Sequence, residues 1–198
     1  MTERERMLAG KLYSAGDEEL RALQRRARML TKRYNEAEPE EREAILRELL
    51  GSAGFSCRME APIRMDYGCN TYIGDRFYAN FDCTILDVAR VDIGTNVMFG
   101  PRVCICTATH PTDRGVRSRG LELGKPIRIG DDVWIGANVT INPGVTIGDG
   151  AVIGSGSVVT RDIPGNVLAA GVPCRVIREL GEEDRRRWEA EEREYHLG

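Results

Sequence analysis

Two side chains of this 198-residue sequence could move a proton near neutral pH, the histidines His110 and His196. An imidazole has an unperturbed pKa of about 6.5, which suits a general base that accepts a proton from a hydroxyl group. We expect His196 to lie in a frayed terminus, so His110 in the segment TATHP is the candidate base. One usable histidine also excludes a catalytic zinc site built on three histidines.

The six cysteines offer no second chemistry, because they form no CxxC pair and no Cys/His cluster at zinc spacing. We interpret them as free thiols that act as small apolar residues in a reducing cytoplasm. The charged start of the chain resembles no secretory signal, and no apolar run approaches the roughly 20 residues of a membrane span. A net charge of −3 gives no reason to expect nucleic acid or an anionic membrane as a partner. We expect a cytoplasmic protein.

The second half of the chain repeats an aliphatic residue at every sixth position. The series is Ile129, Ile135, Ile141, Ile147, Ile153 and Val159, and a second series four residues behind it is Val133, Val139, Val145, Ala151, Ser157 and Ile163. A period of six is typical of hexapeptide repeats that form a parallel β-helix. Three hexads would make one triangular coil of about 18 residues, with the aliphatic side chains stacked inside.

The same period appears earlier in the chain, at Ile93, Phe99 and Ile105, and again at Ile73, Ala79 and Ile85 after a two-residue displacement around Val91-Asp92. Gly, Asn and Asp fall between the aliphatic positions, and we expect them at corners that need left-handed backbone angles. Repeats of this kind wind left-handed. The predicted fold class is therefore mainly β, a left-handed parallel β-helix of hexapeptide repeats.

Composition divides the chain into three segments. Residues 1–58 are rich in Glu, Arg, Leu and Ala and predict an N-terminal helical cap, with Asp17 capping one helix and Pro39 starting another. Residues 59–178 form the predicted β-helix, interrupted by a polar loop at 111–128 that is extruded from one corner. Residues 179–198 predict a charged helix or tail. Five cationic residues of the cap could bind phosphate, although we favour a solvated helix face: Arg25, Arg26, Arg28, Lys32 and Arg33.

These segments together resemble the hexapeptide-repeat sugar O-acetyltransferases, and most of all the maltose and galactoside enzymes. The resemblance is carried by the cap and by YANFDC at 78–83, TATHP at 107–111, GKPIRIGDDVWIGANVTINPGVTIGDG at 124–150 and AAGVPCRVI at 169–177. It implies transfer of acetyl from acetyl-CoA to a sugar hydroxyl in a ternary complex, without a covalent enzyme intermediate and without a metal. It also implies a homotrimer with active sites between subunits.

The resemblance also assigns the reacting groups. His110 matches the family's general base, and the backbone N–H of Ala137 matches its donor to the oxyanion. Asn80 matches an asparagine of the acceptor site, although a simple corner residue of the coil is the alternative. Asp66 stands where galactoside enzymes carry serine, and Glu122 where one of them has an apolar contact. These two carboxylates point to a different acceptor preference.

The coenzyme residues follow from the same comparison. Trp134 resembles a tryptophan that flanks the pantetheine arm, its alternative being a half-exposed packing residue. Gly136, Gly154 and Ser155 would expose backbone N–H groups along that arm. The nucleotide end would be lined by residues that include always-charged, planar guanidinium groups: Thr160, Arg161, Arg175 and Arg178.

Two other functions remain open at the level of sequence. One is acetyl transfer to a different acceptor, such as a chitooligosaccharide or a xenobiotic. The other is a β-helix that serves as a non-catalytic scaffold, which would have no need of His110 beside an extruded loop.

Overall fold

The computed structural model describes residues 1–197, and Gly198, the last residue of the predicted C-terminal segment, lies outside that range. The helices are α1 (Glu3–Leu8), α2 (Glu18–Glu36), α3 (Pro39–Leu49), α4 (Arg114–Arg117) and α5 (Glu182–Leu197). The first ten strands are β1 (Tyr13–Ser14), β2 (Ser52–Ala53), β3 (Arg58–Met59), β4 (Ile63–Met65), β5 (Thr71–Ile73), β6 (Tyr78–Ala79), β7 (Cys83–Leu86), β8 (Val91–Ile93), β9 (Met98–Phe99) and β10 (Cys104–Cys106). The others are β11 (Ala108–Thr109), β12 (Leu121–Gly124), β13 (Ile127–Ile129), β14 (Trp134–Ile135), β15 (Thr140–Ile141), β16 (Thr146–Ile147), β17 (Val152–Ile153), β18 (Val158–Val159), β19 (Val167–Ala170) and β20 (Arg175–Glu179).

Most of the strands build a three-sided column. Face one has the strand order β16-β13-β8-β5-β2, face two has β20-β19-β17-β14-β9-β6-β3, and face three has β18-β15-β10-β7-β4. The chain visits faces one, two and three in turn and then begins the next coil, so neighbouring strands of a face are parallel, apart from β20. The predicted parallel β-helix is confirmed, with about six turns. Its left-handed sense stays a prediction.

The six-residue period is explained by stacking inside this column. Ile129 lies in register with Ile147, and Ile135 lies in register with Ile153 on the next face. These four side chains are at most 3% exposed. Each aliphatic residue therefore meets its equivalent one coil away, and the column is held together by burial of these stacked groups.

The earlier coils are two residues longer, and the extra length lies at the corner between faces three and one. There the buried carboxylate of Asp87 accepts hydrogen bonds from the backbone N–H groups of Tyr67 (2.8 Å), Gly68 (3.1 Å) and Asn70 (3.2 Å). The hydroxyl of Thr71 donates to it as well, at 3.0 Å. Burial raises the pKa of Asp87 to about 6, against the opposing effect of these donors. One carboxylate thus organises the enlarged corner.

The corner residues follow the expectation only in part. Left-handed angles occur at Asn96 and Asn138, as expected, but also at Arg76 and Arg102, which the sequence did not single out. The glycine after the recurring aliphatic residue is not left-handed. A Cβ on Gly94, for example, would lie 2.7 Å from the carbonyl oxygen of the next coil's glycine, so close approach of the coils is the reason for that residue.

The helical cap closes the first end of the column. Asp17 accepts from the N–H groups of Glu19 and Leu20 at the start of α2, and Pro39 occupies the first turn of α3, as predicted. Buried residues of both helices join the same hydrophobic core as the first coils. Strand β2 already pairs with β5, so the column begins within the segment that the sequence assigned to the cap.

The segment predicted as an extruded loop has structure of its own, and the column resumes before its predicted end, because Ile127 and Arg128 already lie in β13. It contains α4 and β12, and β12 pairs antiparallel with β11 on one side and with β1 of the cap on the other. At the other end of the chain, α5 continues to Leu197 with no buried residue, so His196 lies in a helix rather than in a frayed terminus. Among the described residues, no helix combines the length and the apolar character that crossing a membrane requires.

Candidate active site

Most of the predicted site residues lie on two different corners of the column, whereas Trp134, Arg175 and Arg178 lie in strands of face two. The loop corner, between faces three and one, carries Asp66, His110, Glu122, Thr160 and Arg161. The amide corner, between faces two and three, carries Asn80, Gly136, Ala137, Gly154 and Ser155. The full width of face three separates the candidate base from the candidate oxyanion donor. A single chain therefore does not bring these two groups together.

His110 is exposed and directly follows β11, where the loop leaves the column. Thr109 pairs with Leu123 in the antiparallel β11–β12 ladder. Continuing this register by one residue sets His110 across from Glu122. The candidate base is thus placed on a short hairpin, beside one of the two carboxylates predicted for the acceptor site.

Glu122 is held by a residue of the cap that the sequence did not single out. The hydroxyl of Tyr13 donates to Oε2 of Glu122 at 2.9 Å, and the two residues are paired in the β1–β12 ladder. Tyr13 is 1% exposed, and its burial together with the carboxylate raises the pKa of its phenol well above the ordinary value. A buried phenol that stays protonated is a fixed donor. It orients the carboxylate and fastens the loop to the cap.

Asp66 completes an acidic surface at the loop corner. Nε2 of Gln24 donates to its Oδ1 at 3.0 Å. Burial raises the pKa of Asp66, Arg28 and the Gln24 hydrogen bond oppose that rise, and the charge of Glu122 adds to it. The hydroxyl of Tyr67, whose pKa is raised by burial and by the same carboxylates, is buried without a hydrogen-bond partner. The two partly exposed carboxylates, Asp66 and Glu122, can accept hydrogen bonds from sugar hydroxyls, whereas the phenol of Tyr67 is buried.

The amide corner presents backbone rather than side chains. The N–H of Ala137 donates to Oγ of Ser155 at 3.1 Å, so the candidate oxyanion donor is occupied in the protein alone. A Cβ on Gly100 would lie 2.8 Å from the nitrogen of Ala137, and a Cβ on Gly136 would lie 2.7 Å from that of Ser155. A side chain at either glycine would therefore collide with the backbone of the neighbouring coil, so glycine is required for the coils to pack this closely at the amide corner. An oxyanion would receive the Ala137 N–H once the serine hydroxyl turns away.

Asn80 lies at the same corner, one residue after β6. Its Oδ1 accepts from the N–H of Phe81 at 2.8 Å, and its side chain is partly exposed. The left-handed residue of this corner is Asp82, so Asn80 is not required there by backbone conformation. Its amide nitrogen is the group left to contact a ligand.

The outer surface of face two carries an apolar strip. Trp134 and Met98 are each 52% exposed and lie in register on neighbouring strands. Gly136 and Gly154 follow at the adjacent corner, one coil apart. A flat apolar surface beside exposed backbone amides suits an extended chain that carries amide groups of its own.

The residues predicted to bind the nucleotide end of the coenzyme differ in their exposure and in the hydrogen bonds that they already make. Thr160 and Arg161 are exposed at the loop corner, one face away from Trp134. Arg175 donates to the carbonyl oxygen of Cys174 at 2.7 Å. Arg178 makes a two-pronged contact with Asp184 at the start of α5, with distances of 2.6 and 2.7 Å.

The Asp184 carboxylate accepts two hydrogen bonds from the Arg178 guanidinium, in the position where a phosphate would bind. The hydrogen bonds from Arg178 lower the pKa of Asp184 to about 2, so the carboxylate is charged at neutral pH. Arg178 therefore does not present a free guanidinium in this structure. Sequence alone gave no sign of this competing partner.

No group of three or more His, Cys, Asp or Glu side chains in residues 1–197 could hold a metal ion. All six cysteines are free thiols. Burial raises the pKa of the Cys83 thiol to about 12.

Comparisons with known proteins agree with this architecture. The family model described as the maltose acetyltransferase hexapeptide capping motif matches residues 6–54, and the bacterial transferase hexapeptide model matches residues 126–161. The galactoside O-acetyltransferase of Escherichia coli K12 is 46% identical over 91% of this chain and 91% of its own length.

Two solved structures are similar over nearly the whole chain. The maltose O-acetyltransferase of Clostridium difficile 630 has a TM-score of 0.91 and 52% identity, covering 92% of this chain and 99% of that one. A galactoside acetyltransferase in complex with coenzyme A has a TM-score of 0.89 and 44% identity, covering 93% and 94%. The likeness therefore extends over the cap, the loop and the column, and leaves out less than a tenth of this chain.

Proposed function

Because this chain belongs to the hexapeptide-repeat sugar O-acetyltransferases, we propose that it moves the acetyl group of acetyl-CoA to a hydroxyl of a maltose-, glucose- or galactoside-like sugar. The enzyme class follows from relatives named for sugar acetyl transfer and from a related structure that holds coenzyme A. The acceptor, the mechanism and the assembly are proposals that rest on the resemblance of individual residues to the family and on the placement of those residues in the column.

His110 is the general base of the proposed reaction. It takes the proton of a sugar hydroxyl while that oxygen attacks the thioester carbonyl, a contribution worth roughly 10²–10⁴-fold in rate. The Ala137 N–H donates to the oxyanion of the tetrahedral intermediate. When the intermediate collapses, the C–S bond breaks and the coenzyme thiolate receives the proton from the imidazolium. Ester and thiol are the products, and no covalent enzyme intermediate is needed.

The observation that carries this proposal is the placement of base and donor on different corners of the column. One reacting carbon cannot contact both groups of the same chain. A cyclic assembly, in which the loop corner of one chain faces the amide corner of the next, supplies both to each site. We propose that this assembly is the homotrimer that the family resemblance implies, with three equivalent sites around one axis.

Acetyl-CoA would lie along the groove between two such chains. The pantetheine arm would run over Trp134 and the exposed amides near Gly136, Gly154 and Ser155. Thr160, Arg161 and Arg175 would receive the nucleotide end, and Arg178 would join them after release from Asp184. The sugar would meet Asp66, Glu122 and Asn80, whose carboxylate and amide groups suit hydroxyl ligands. The six free thiols accord with the cytoplasmic location that we propose.

The test is the rate of thiol release from acetyl-CoA with a panel of glucose, maltose, galactosides and chitooligosaccharides. We expect turnover with a small sugar and a loss of 10²–10⁴-fold in His110→Ala. His196→Ala removes the other histidine of the chain and serves as the matched control, with parental activity expected. Equal activity of His110→Ala and parent would remove His110 as the base. Turnover confined to chitooligosaccharides would reassign the acceptor, and no turnover on any sugar would favour a scaffold.

A further inference from the structure

A groove of about 490 Å³ lies between helix α2 and strand β4, next to the acceptor-site residue Asp66. It is lined by Arg28, Thr31, Lys32, Asn35, Glu36, Ile63, Arg64 and Met65. We call it the α2 groove. None of the groups needed for acetyl transfer lies in it, so it requires its own explanation.

The α2 groove continues directly from the acceptor site. Gln24, whose amide holds Asp66, lies one helical turn before Arg28, and Lys32 lies one turn further on. Residues four apart share one side of a helix, and four residues advance by about 6 Å along its axis. Arg28 is close enough to Asp66 to oppose the rise in that carboxyl's pKa. A sugar bound at Asp66 can therefore extend along α2 into the groove.

The charge of the α2 groove is mainly positive. Arg28, Lys32 and Arg64 face a single carboxylate of the lining, Glu36, which lies 3.9 Å from Lys32. Arg64 has an exposed contact of 3.5 Å with Asp82. Within residues 1–197, no carboxylate oxygen lies within 4.0 Å of Arg28. Exposed ion pairs at such distances are weak, so these cations are available to an anionic ligand.

A second, independent feature points to a ligand in the same place. Thr31 is 8% exposed, and its Oγ1 is buried without a hydrogen-bond partner. Threonine within a helix usually returns its hydroxyl to a carbonyl of the preceding turn. Thr31 has two accessible rotamers in a helix, one of which can present the hydroxyl to an oxygen bound in the groove. Arginine and a hydroxyl are a suitable pair of donors for phosphate or carboxylate oxygens.

We propose that the α2 groove is a subsite for a negatively charged group, phosphate or carboxylate, carried by the sugar acceptor. The inference rests on the proposed function and narrows its substrate class from neutral sugars to anionic ones. Arg28 and Lys32 were expected to form part of a solvated helix face, together with Arg25, Arg26 and Arg33. In the structure, Arg28 and Lys32 line the groove, whereas Arg25 lies outside it and pairs with Glu18.

The test compares glucose, glucose 1-phosphate and glucose 6-phosphate at constant ionic strength, each as an acceptor and as a competitive inhibitor of maltose acetylation. Both assays are needed because a phosphate can replace the hydroxyl that reacts. We expect at least one phosphorylated sugar to bind about tenfold more tightly than glucose. Equal binding of the three sugars would overturn the proposal. Inorganic phosphate that inhibits as strongly as the sugar phosphates would also overturn it, because the group would then bind without the sugar.

Substitutions in the α2 groove test whether the preference for a phosphorylated sugar arises there. The preference for phosphorylated sugar is measured as its kcat/KM, or its strength of inhibition, divided by that of glucose. Arg28→Gln should lower this ratio about tenfold. Thr31→Val removes an unsatisfied hydroxyl at constant volume, so the fold is preserved, and it should lower the same ratio about threefold. Arg25→Gln on the same helix is the matched control and should leave the ratio unchanged. An unchanged ratio in Arg28→Gln and Thr31→Val would refute the subsite. Failure of the parent to acetylate any sugar would instead refute the proposed function.

Discussion

Two inactive variants should regain activity when they are combined in one oligomer. His110→Ala removes the proposed base from the loop corner, and Ala137→Pro removes the proposed donor N–H from the amide corner. Either change alone should lower the rate at least about a hundredfold. Because face three separates the two corners in one chain, each site would take its base from one chain and its donor from a neighbour. A mixed oligomer then contains a site in which both groups are intact.

The magnitude follows from counting sites. A trimer with two chains of one variant and one of the other has three junctions, and a single junction joins an intact base to an intact donor. The mixed trimer should therefore show about one third of parental activity per trimer. A dimer with the same corner arrangement would show about one half. The recovered fraction thus reports the number of chains as well as the location of the site.

The assay uses co-expression of the two variants with different affinity tags and purification over both columns, followed by thiol release from acetyl-CoA. Asn80→Ala replaces Ala137→Pro as a second amide-corner variant, because proline could disturb the coil. Asn80 is partly exposed, and its side chain bonds only the next N–H. Mixed oligomers as inactive as each variant alone would refute a site shared between chains, since both groups would then belong to one chain.

Three further predictions concern single contacts. Tyr13→Phe removes the hydrogen-bond donor to Glu122. It should raise the KM for the acceptor about tenfold and change the KM for acetyl-CoA little. Steady-state kinetics measures both constants, and equal changes in the two would contradict the prediction. Asp184→Ala removes the hydrogen-bond partner of Arg178 and should lower the KM for acetyl-CoA severalfold in the same assay, whereas an unchanged KM would show that Arg178 does not bind the coenzyme. Folding raises the pKa of Asp87 from 3.8 to about 6. The protonated carboxyl therefore contributes about 3 kcal/mol to the free energy of unfolding below pH 3.8. This contribution is lost as the pH rises through 6. Denaturant unfolding at pH 4 and pH 7 should show most of this loss in the parent and not in Asp87→Asn, and an equal loss in both proteins would exclude Asp87 as its source.

The column could be predicted from the sequence because its determinants are local and periodic. An isoleucine at every sixth position needs a stacked equivalent, and the registers of Ile129 with Ile147 and Ile135 with Ile153 show that this stacking occurs. The glycines that follow several of the aliphatic residues, such as Gly94 after Ile93, were expected to adopt left-handed backbone angles, but they do not, and close approach of the coils explains them instead. The sequence shows that a side chain is absent there, but only the packed coils show which neighbouring atom excludes it.

The contacts that shape the candidate site could not be predicted in this way. Tyr13 and Glu122 are 109 residues apart, and their pairing depends on a two-residue ladder between the cap and the loop. Arg178 has the residue type expected of a phosphate ligand, yet a carboxylate of α5 occupies it. Residue identity predicts which chemistry a group can perform, whereas its availability depends on partners brought in by tertiary structure.

The cap therefore has a role beyond closing the end of the column. A polar loop tethered only at its two ends would pay a large entropy cost to hold His110 and Glu122 in one geometry. Strand β1 reduces that cost, because it is anchored by the buried ring of Tyr13 and supplies β12 with a second partner. The same cap contributes Gln24, which holds Asp66, and Arg28, which begins the α2 groove. In the proposed reaction, the column would supply backbone N–H donors for the thioester, and the cap and loop would supply the side chains that select the acceptor hydroxyl.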